Sequence, residues 1–151
     1  ENMLIADKLL RWARQLFLVA RAADLPAVLV SEMKAQFSVP QAALKVWGVA
    51  EAFADEAFAQ DVSEDVRSLA SSIGAPYCGV NSGFDAVQWL DEPDAAASLA
   101  LIPLRPSSRE PAFGLLVLAS PDSQRFQIGM ATDFLERIAE LASAALSRLR
   151  D

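Results

Sequence analysis

Two apolar stripes run side by side along the first helix that the sequence predicts, residues 3–23. The first stripe repeats at three- and four-residue spacing, and the second lies next to it: Ile5, Leu9, Trp12, Leu16 and Val19 in the first, and Leu10, Ala13 and Phe17 in the second. A helix on the surface of a monomer needs only one apolar stripe. The pattern leaves two explanations: a partner chain covers the second stripe, or residues upstream of Glu1 cover it.

The doubled stripe predicts a homodimer, because an exposed apolar patch of this size exceeds what soluble monomers tolerate. We assign the predicted dimer interface to four residues of this helix: Leu9, Leu10, Leu16 and Phe17. The chain then divides into an N-terminal dimerisation helix, residues 1–23, and a second unit, residues 24–151. Because the chain begins inside an amphipathic pattern, we expect the first helix to continue an upstream segment.

Capping and turn residues divide the remaining chain into elements. Asp24 is a favourable N-cap for a second helix, with Pro26 in its first turn. Ser63 is predicted to cap a third helix. The predicted elements are helices at residues 24–37, 63–74 and from about 129 to 149, and strands at residues 40–47, 75–80, 98–104 and 113–119. Residues 48–61 fit a strand, a helical turn or a loop equally well.

The order of these elements indicates an α+β domain. Residues 98–104 and 113–119 are nearly continuous apolar runs, which is typical of strands that are covered on both faces. We therefore place them as a long-looped hairpin in the centre of the sheet. Strands in sequence with short connections favour an antiparallel sheet, and helices at both chain ends can cover one of its faces. The prediction is a central antiparallel sheet with the N- and C-terminal helices packed on one face.

Composition and charge exclude several classes of protein. The chain has 151 residues, of which 53% are hydrophobic, enough for one ordinary domain. The longest stretch without a charge, residues 68–84, is interrupted by Gly74 and Pro76, so no segment reaches the roughly 20 apolar residues of a membrane-spanning helix. The net charge is −7 and a basic stripe is missing, which argues against direct binding of nucleic acid. A lone cysteine, Cys78, suits the cytoplasm.

The sequence also lacks the residues on which most enzymes depend. It contains no histidine and one cysteine. Ser-His-Asp and Cys-His nucleophilic chemistry is therefore excluded, together with the usual zinc sites built from nitrogen and sulfur ligands. Residues 79–83 are not a nucleophile elbow, because Ser82 stands one position too late for that motif. We expect no enzymatic activity, no catalytic residue and no metal site.

Several segments resemble one bacterial family. The sequence FGLLVLASPDSQRF at residues 113–126, followed by GMATDFL at 129–135, is similar to the C-terminal signature of domain of unknown function 484, a family related to GAF domains. VSEDV at 62–66, APYCG at 75–79 and SLALIPL at 98–104 agree with it in order. The resemblance covers most of the chain. It implies a GAF-like fold with a ligand pocket on the sheet face that the terminal helices leave free.

The resemblance does not identify a ligand or cofactor, which stays unknown at this stage. GAF domains that bind cyclic nucleotides carry an Asn-Lys-Phe-Asp-Glu constellation, which this sequence lacks. Attachment of a bilin would need a suitably placed thiol. Cys78 is the candidate, but it lacks the histidine neighbour that such sites usually show.

Five residues are candidates for ligand binding: Trp47, Arg67, Tyr77, Cys78 and Trp89. Pockets walled by aromatic rings with a few polar groups are typical of small-molecule sites. Arg67 could anchor an anionic ligand through bidentate hydrogen bonds, or form an ordinary helical ion pair with Glu64. The aromatic residues could instead fill the core, and a free cysteine in an apolar strand is most often a small buried hydrophobe.

The sequence thus predicts a non-catalytic, GAF-like sensory or regulatory domain that binds an unidentified small molecule and dimerises through its helices. In this interpretation Tyr77 and Cys78 lie on the sheet face that closes over the ligand, near Trp89. The alternative is a structural or protein-interaction module with a collapsed pocket, which docks a partner protein. The two interpretations differ in whether a cavity on the order of a few hundred Å³ exists at that face.

Overall fold

The computed structural model describes residues 2–127 and 133–150. The α-helices in this part of the chain are α1 (Asn2–Phe17), α2 (Leu25–Phe37), α3 (Glu64–Ser72) and α4 (Asp133–Leu146), and the strands are β1 (Gln41–Val46), β2 (Tyr77–Val80), β3 (Ser98–Leu104) and β4 (Gly114–Ser120). Short 3₁₀ helices lie in the connections, at residues 22–24, 51–53, 57–59, 85–89, 93–95 and 147–149.

The strands form one antiparallel sheet in the order β1–β4–β3–β2. In its centre, Leu116 of β4 is paired with Leu44 of β1 on one side and with Ile102 of β3 on the other. Every residue of β3 and β4 is buried, as expected for strands that are covered on both faces. The predicted α+β class and the central position of the hairpin are confirmed.

Helices α1, α2 and α4 cover one face of the sheet, here called the helix face. Its core combines helix residues with the strand residues that alternate toward them, among them Trp12, Leu16, Leu29, Met33, Leu44, Ile102, Leu116, Ile138 and Leu146. Trp12 is fully buried, and its indole Nε1 donates a 3.2 Å hydrogen bond to the carbonyl oxygen of Leu29. This bond satisfies an N–H that burial would otherwise leave unpaired. α1 therefore shares one core with the rest of the domain.

The first helix is shorter than the sequence predicts, because α1 ends at Phe17 and not at Ala23. The residues that follow this end are held by a tertiary contact. Arg148 donates hydrogen bonds of 3.0 Å to the carbonyl oxygens of both Val19 and Ala20. These carbonyls are thus bonded to a distant side chain and not within a continued helix.

The predicted helix caps have different outcomes. The Ser63 hydroxyl accepts a 3.2 Å hydrogen bond from the backbone N–H of Val66, which confirms it as the N-cap of α3. Asp24 precedes α2 as predicted, and Pro26 occupies the first turn, but the Asp24 side chain makes no capping hydrogen bond. Asp24 already belongs to the 3₁₀ turn at residues 22–24, where its backbone has a helical conformation.

Residues 48–61, which the sequence leaves open, contain two short 3₁₀ helices and no strand. The second of these helices packs against β1, where Lys45 Nζ donates a 2.7 Å hydrogen bond to the carbonyl oxygen of Gln60. At the start of the segment, the backbone N–H of Ala50 donates a 2.9 Å hydrogen bond to the carbonyl oxygen of Leu149. Both ends of the segment are therefore held by tertiary hydrogen bonds.

The predicted final helix begins near Gly129, and residues 128–132 lie outside the described part of the chain. Within that part, α4 starts at Asp133 and a 3₁₀ turn follows it. Its buried stripe is Leu135, Ile138, Ala142 and Leu146. Phe134 and Leu141 lie beside this stripe and are half-buried.

Candidate functional site

The face of the sheet opposite α1, α2 and α4, here called the outer face, is covered by α3 and by the 3₁₀ helix at residues 85–89. Its buried core includes Trp47, Val66, Ala70, Val87, Leu90, Leu99, Leu101, Leu115, Val117 and Ala119. Tyr77, Phe84 and Trp89 are half-buried and pack against this core. This is the face on which the sequence places a ligand.

The structure brings four of the five predicted ligand residues to the outer face and separates the fifth. Trp47, Tyr77 and Trp89 belong to the outer-face core or pack on it, and Arg67 of α3 lies over Trp47. Cys78 belongs to the helix-face core. Consecutive residues of a strand point to opposite faces of a sheet, so the prediction that Tyr77 and Cys78 share one face is wrong.

Arg67 makes no ion pair with Glu64 in the described structure, although the two stand three positions apart. Its guanidinium carbon lies 5.9 Å from the centroid of the Trp47 ring, within the range of a cation–π contact. The Nε atom is buried and has no hydrogen-bond partner. An unpaired buried donor costs roughly 1–3 kcal/mol. Arg67 therefore keeps hydrogen-bonding capacity that the protein itself does not use.

Trp47 is a fixed platform beneath this guanidinium. Its side chain is 8% exposed, and its indole Nε1 donates a 3.0 Å hydrogen bond to the carbonyl oxygen of Ala112. Its backbone N–H donates a 2.8 Å hydrogen bond to the carbonyl oxygen of Phe113. Because these bonds hold both the ring and the backbone, Trp47 can orient Arg67, but it offers little surface of its own to a ligand.

A second cation lies on the outer face and was missed by the sequence analysis. Lys45 stands two positions before Trp47 in β1 and so projects from the same face. Its Nζ lies 6.0 Å from the centroid of the Trp89 ring and donates a hydrogen bond to Gln60. The alternation along residues 42–47 was the signal that could have placed Lys45 beside Trp47. We call Lys45, Trp47, Arg67 and Trp89 the outer-face patch.

The aromatic rings near β2 pack on each other. The centroids of the Tyr77 and Phe84 rings are 5.5 Å apart and the ring planes are inclined by 66°, an edge-to-face arrangement. The turn that leads into Phe84 is set by Asn81, whose side-chain oxygen accepts a 3.1 Å hydrogen bond from the N–H of Gly83. Tyr77 therefore faces a neighbouring side chain at the place where the sequence predicts a pocket wall.

Among the cavities on the described surface, two lie away from the predicted site, and none of the five predicted ligand residues lines either of them. The larger one, about 850 Å³, is a cleft bounded by α4, the β3–β4 connection and the end of α3, and its walls include Arg105, Phe113 and Arg150. The smaller one, about 270 Å³, lies along residues 81–94. Neither of these two cavities therefore provides a pocket at the outer-face patch.

Burial in the helix-face core raises the pKa of the Cys78 thiol. The thiolate, and not the thiol, is the reactive form of cysteine. The position of Cys78 thus agrees with a small buried hydrophobe and not with a contact to a ligand on the outer face.

The structure divides the four predicted interface residues of α1 into two groups. Leu16 is 2% exposed and lies in the helix-face core, with Leu9 half-buried against that core. Leu10 and Phe17 are 69% and 77% exposed. Leu16 is thus used by its own domain, and Leu10 and Phe17 are the predicted interface residues whose side chains a partner can reach.

Residues 2–127 and 133–150 contain neither a candidate metal cluster nor a helix suited to a membrane. No group of three or more Cys, Asp or Glu side chains in this part of the chain has the arrangement to hold a metal ion. Nor does any helix there combine the length and the apolar character that a membrane crossing requires.

Solved structures similar to this chain include GAF domains and a reductase. The GAF domain of an Acinetobacter phosphoenolpyruvate-protein phosphotransferase has a TM-score of 0.66 and 16% identity, covering 95% of this chain and 92% of that one. Free methionine-R-sulfoxide reductase from Neisseria meningitidis has a TM-score of 0.61 and 13% identity, covering 95% and 88%. The GAF domain of the Escherichia coli potassium sensor histidine kinase KdpD has a TM-score of 0.57 and 17% identity, covering 95% and 94%.

At these identities the comparison shows the fold and not the function. No curated protein sequence matches this chain significantly. The family model described as "Protein of unknown function, DUF484" matches residues 1–151. The chain therefore belongs to the DUF484 family and has a GAF-like fold.

Proposed function

We propose that this chain is a non-catalytic regulatory domain that binds a small organic anion at the outer-face patch and dimerises through α1. The observation that carries the ligand part is the state of Arg67, whose guanidinium lies over a fixed indole and whose buried Nε has no partner. The ordinary explanation for this arginine, an ion pair with Glu64, does not apply.

The charge of the patch supports an anionic ligand. Lys45 and Arg67 lie near the rings of Trp89 and Trp47 in a chain whose net charge is −7. Two cations on one patch create a local potential that attracts anions against the overall charge. The guanidinium fork of Arg67 matches a carboxylate or phosphate group in a bidentate geometry, and the half-buried Trp89 ring suits an apolar or aromatic body.

The proposal that the domain is non-catalytic is supported by its lack of histidine and by the position of its one cysteine. There is no histidine to act as a general base. The single thiol, Cys78, lies on the helix face with a raised pKa, away from the patch. One structural neighbour is named as a reductase, but a shared fold does not carry chemistry from one protein to another.

The dimer is supported by the two exposed side chains of α1. Leu10 and Phe17 are seven positions apart and so lie on the same side of the helix, next to the buried stripe. Burying large apolar side chains of this kind contributes about 1.5–3 kcal/mol each. In this proposal, ligand binding at the outer face shifts the packing of the sheet against α1 and is transmitted to the partner.

A protein-interaction module with no small-molecule ligand is the second candidate. The observation that favours it is the burial of Trp47, together with the position of both cavities away from the patch. In this version the outer face is filled by its own side chains, and Arg67 receives a carboxylate from a partner protein.

Native mass spectrometry of the freshly purified protein tests both candidates, because it reports oligomeric state and retained small molecules together. We expect a dimer that carries an extra mass, with the extra mass lost in Arg67→Gln and kept in Arg109→Gln. Arg109 is an exposed loop arginine and serves as the charge-matched control. A dimer without any retained mass would favour the interaction module, and a monomer would contradict the role of α1.

A further inference from the structure

We infer that the cleft beside α4 is a second ligand site, which takes a small monocarboxylic acid with an apolar body. The cleft has a volume of about 850 Å³. Pockets for small organic molecules typically measure about 300–1,000 Å³. This site is separate from the outer-face patch, because none of the four patch residues lines the cleft.

Arg150 is the cation that the cleft offers to a ligand. Its guanidinium carbon lies 5.0 Å from the centroid of the buried Phe113 ring, and its Nε is buried without a hydrogen-bond partner. Within the described chain the guanidinium makes neither an ion pair nor a hydrogen bond with a protein group. The backbone of Arg150 forms a bridge with Val49, which holds the residue at the cleft wall. The fold thus fixes the position of Arg150, while its guanidinium keeps its capacity to donate hydrogen bonds.

The other arginine of the cleft is already occupied. The terminal nitrogens of Arg105 donate hydrogen bonds to four backbone carbonyl oxygens, those of Ala70, Ser71, Ile73 and Glu110. An incoming carboxylate would break these bonds at Arg105 but none at Arg150. Bidentate recognition of the carboxylate is therefore assigned to Arg150.

The other residues that line the cleft determine which ligand body fits beside the carboxylate. Its apolar part is formed by Pro76, Pro103, Pro106, Phe113, Ala139 and Ala144, which suits an apolar body. Glu136 and Glu140 line the same cleft, and Glu140 pairs with Arg137 at 3.1 Å. Because one guanidinium in the cleft is available for a bidentate pair, the cleft suits a ligand that carries one carboxylate.

The test is an NMR titration of the full chain with 4-phenylbutyrate, compared with the neutral 4-phenylbutyramide. We expect saturable shifts at the backbone amides of Ser107, Ser143 and Ala144, with a dissociation constant on the order of 1 mM. Binding of the amide is expected to be weaker by about tenfold, since it loses the charge-assisted pair with Arg150.

Three variants separate the role of the arginine from the effects of folding. Arg150→Gln should weaken binding of 4-phenylbutyrate by about tenfold, whereas Lys34→Gln, which removes one positive charge from an exposed position of α2, should leave it unchanged. Ala144→Trp fills the cleft without removing a charge and should abolish the shifts, which provides an independent test if Arg150→Gln disturbs the C-terminal turn. Absence of saturable shifts in the native protein would overturn the inference. Equal binding of acid and amide, or unchanged affinity in both cleft variants, would overturn it as well.

Discussion

The guanidinium of Arg105 donates a 2.7 Å hydrogen bond to the carbonyl oxygen of Ile73, the residue at which α3 is capped. The same nitrogen also donates to the carbonyl oxygens of Ala70 and Ser71. The last carbonyls of a helix lack intrahelical partners and carry the negative end of its dipole. Arg105 directly follows β3, so these bonds fasten the end of α3 to the sheet and hold the helix that carries Arg67.

Replacing Arg105 with glutamine should therefore destabilise the protein through α3. We expect Arg105→Gln to lower the free energy of unfolding by about 1–3 kcal/mol, because carbonyls at the helix end lose their charged donor. Urea denaturation measures the loss, and amide hydrogen exchange should be accelerated within α3 more than in β4. Arg109→Gln removes the same charge from an exposed loop position and should change little; equal losses in the two variants would contradict the proposed role of Arg105.

The packing of the sheet centre gives a second prediction. Leu116 is fully buried between its paired neighbours Leu44 and Ile102. Leu116→Ala should cost roughly 2–5 kcal/mol in the free energy of unfolding, because the lost methyl groups leave a cavity in a core that cannot fully collapse. Val80→Ala, at an exposed apolar residue of β2 outside the proposed dimer interface, is the control and should cost less than about 1 kcal/mol. A loss below about 1 kcal/mol for Leu116→Ala would mean that β4 is not central.

The exposed stripe of α1 gives a third prediction, on oligomeric state. The double variant Leu10→Glu with Phe17→Glu should convert the predicted dimer to a monomer, because it places two carboxylates where apolar side chains would be buried against a partner. Sedimentation velocity on native and variant protein at about 50 µM, a concentration chosen for ordinary dimer affinities, makes the comparison.

The control for this variant is Val80→Glu, since Val80 is also an exposed apolar residue but lies in β2. The control should keep the oligomeric state of the native protein. A native protein that sediments as a monomer at this concentration would end the dimer proposal, and so would a double variant that remains dimeric.

The raised pKa of Cys78 gives a prediction for alkaline pH. The folded state holds the thiol proton more tightly than the unfolded state, in which the pKa of cysteine is about 8.5. The contribution of this group to stability is therefore complete below about pH 8.5 and is lost as the pH rises through the folded-state pKa.

Urea denaturation between pH 7.5 and pH 10.5 tests this linkage. The native protein should lose stability above about pH 8.5 more steeply than Cys78→Ala, which has no thiol to titrate. The comparison concerns the slopes and not the absolute stabilities, since the variant also loses buried sulfur. Parallel slopes in the two proteins would show that burial does not perturb this thiol.

Local chemistry along the sequence determined the α+β class, the central hairpin, the Ser63 cap and the alternation along β1. Each of these depends on residues that are close together in the chain. An unbroken apolar run indicates a strand that is covered on both faces. A serine directly before two acidic residues indicates the N-cap of a helix. The absence of histidine likewise excludes catalysis that depends on a histidine base.

Tertiary structure decided the features that depend on residues far apart in the chain. Arg148 bonds to the carbonyls of Val19 and Ala20 just beyond the end of α1, a contact that no signal within the helix could indicate. The position of Cys78 follows from the pairing of β2 with β3, because a shift of one residue in a strand exchanges the two faces. Arg67 contacts the Trp47 ring and forms no ion pair with Glu64. The packing of α3 on the sheet brings the ring, which is distant in sequence, within reach of the guanidinium. The direction of a side chain depends on strand register and on packing between distant segments, and local patterns in a single sequence do not predict either of them.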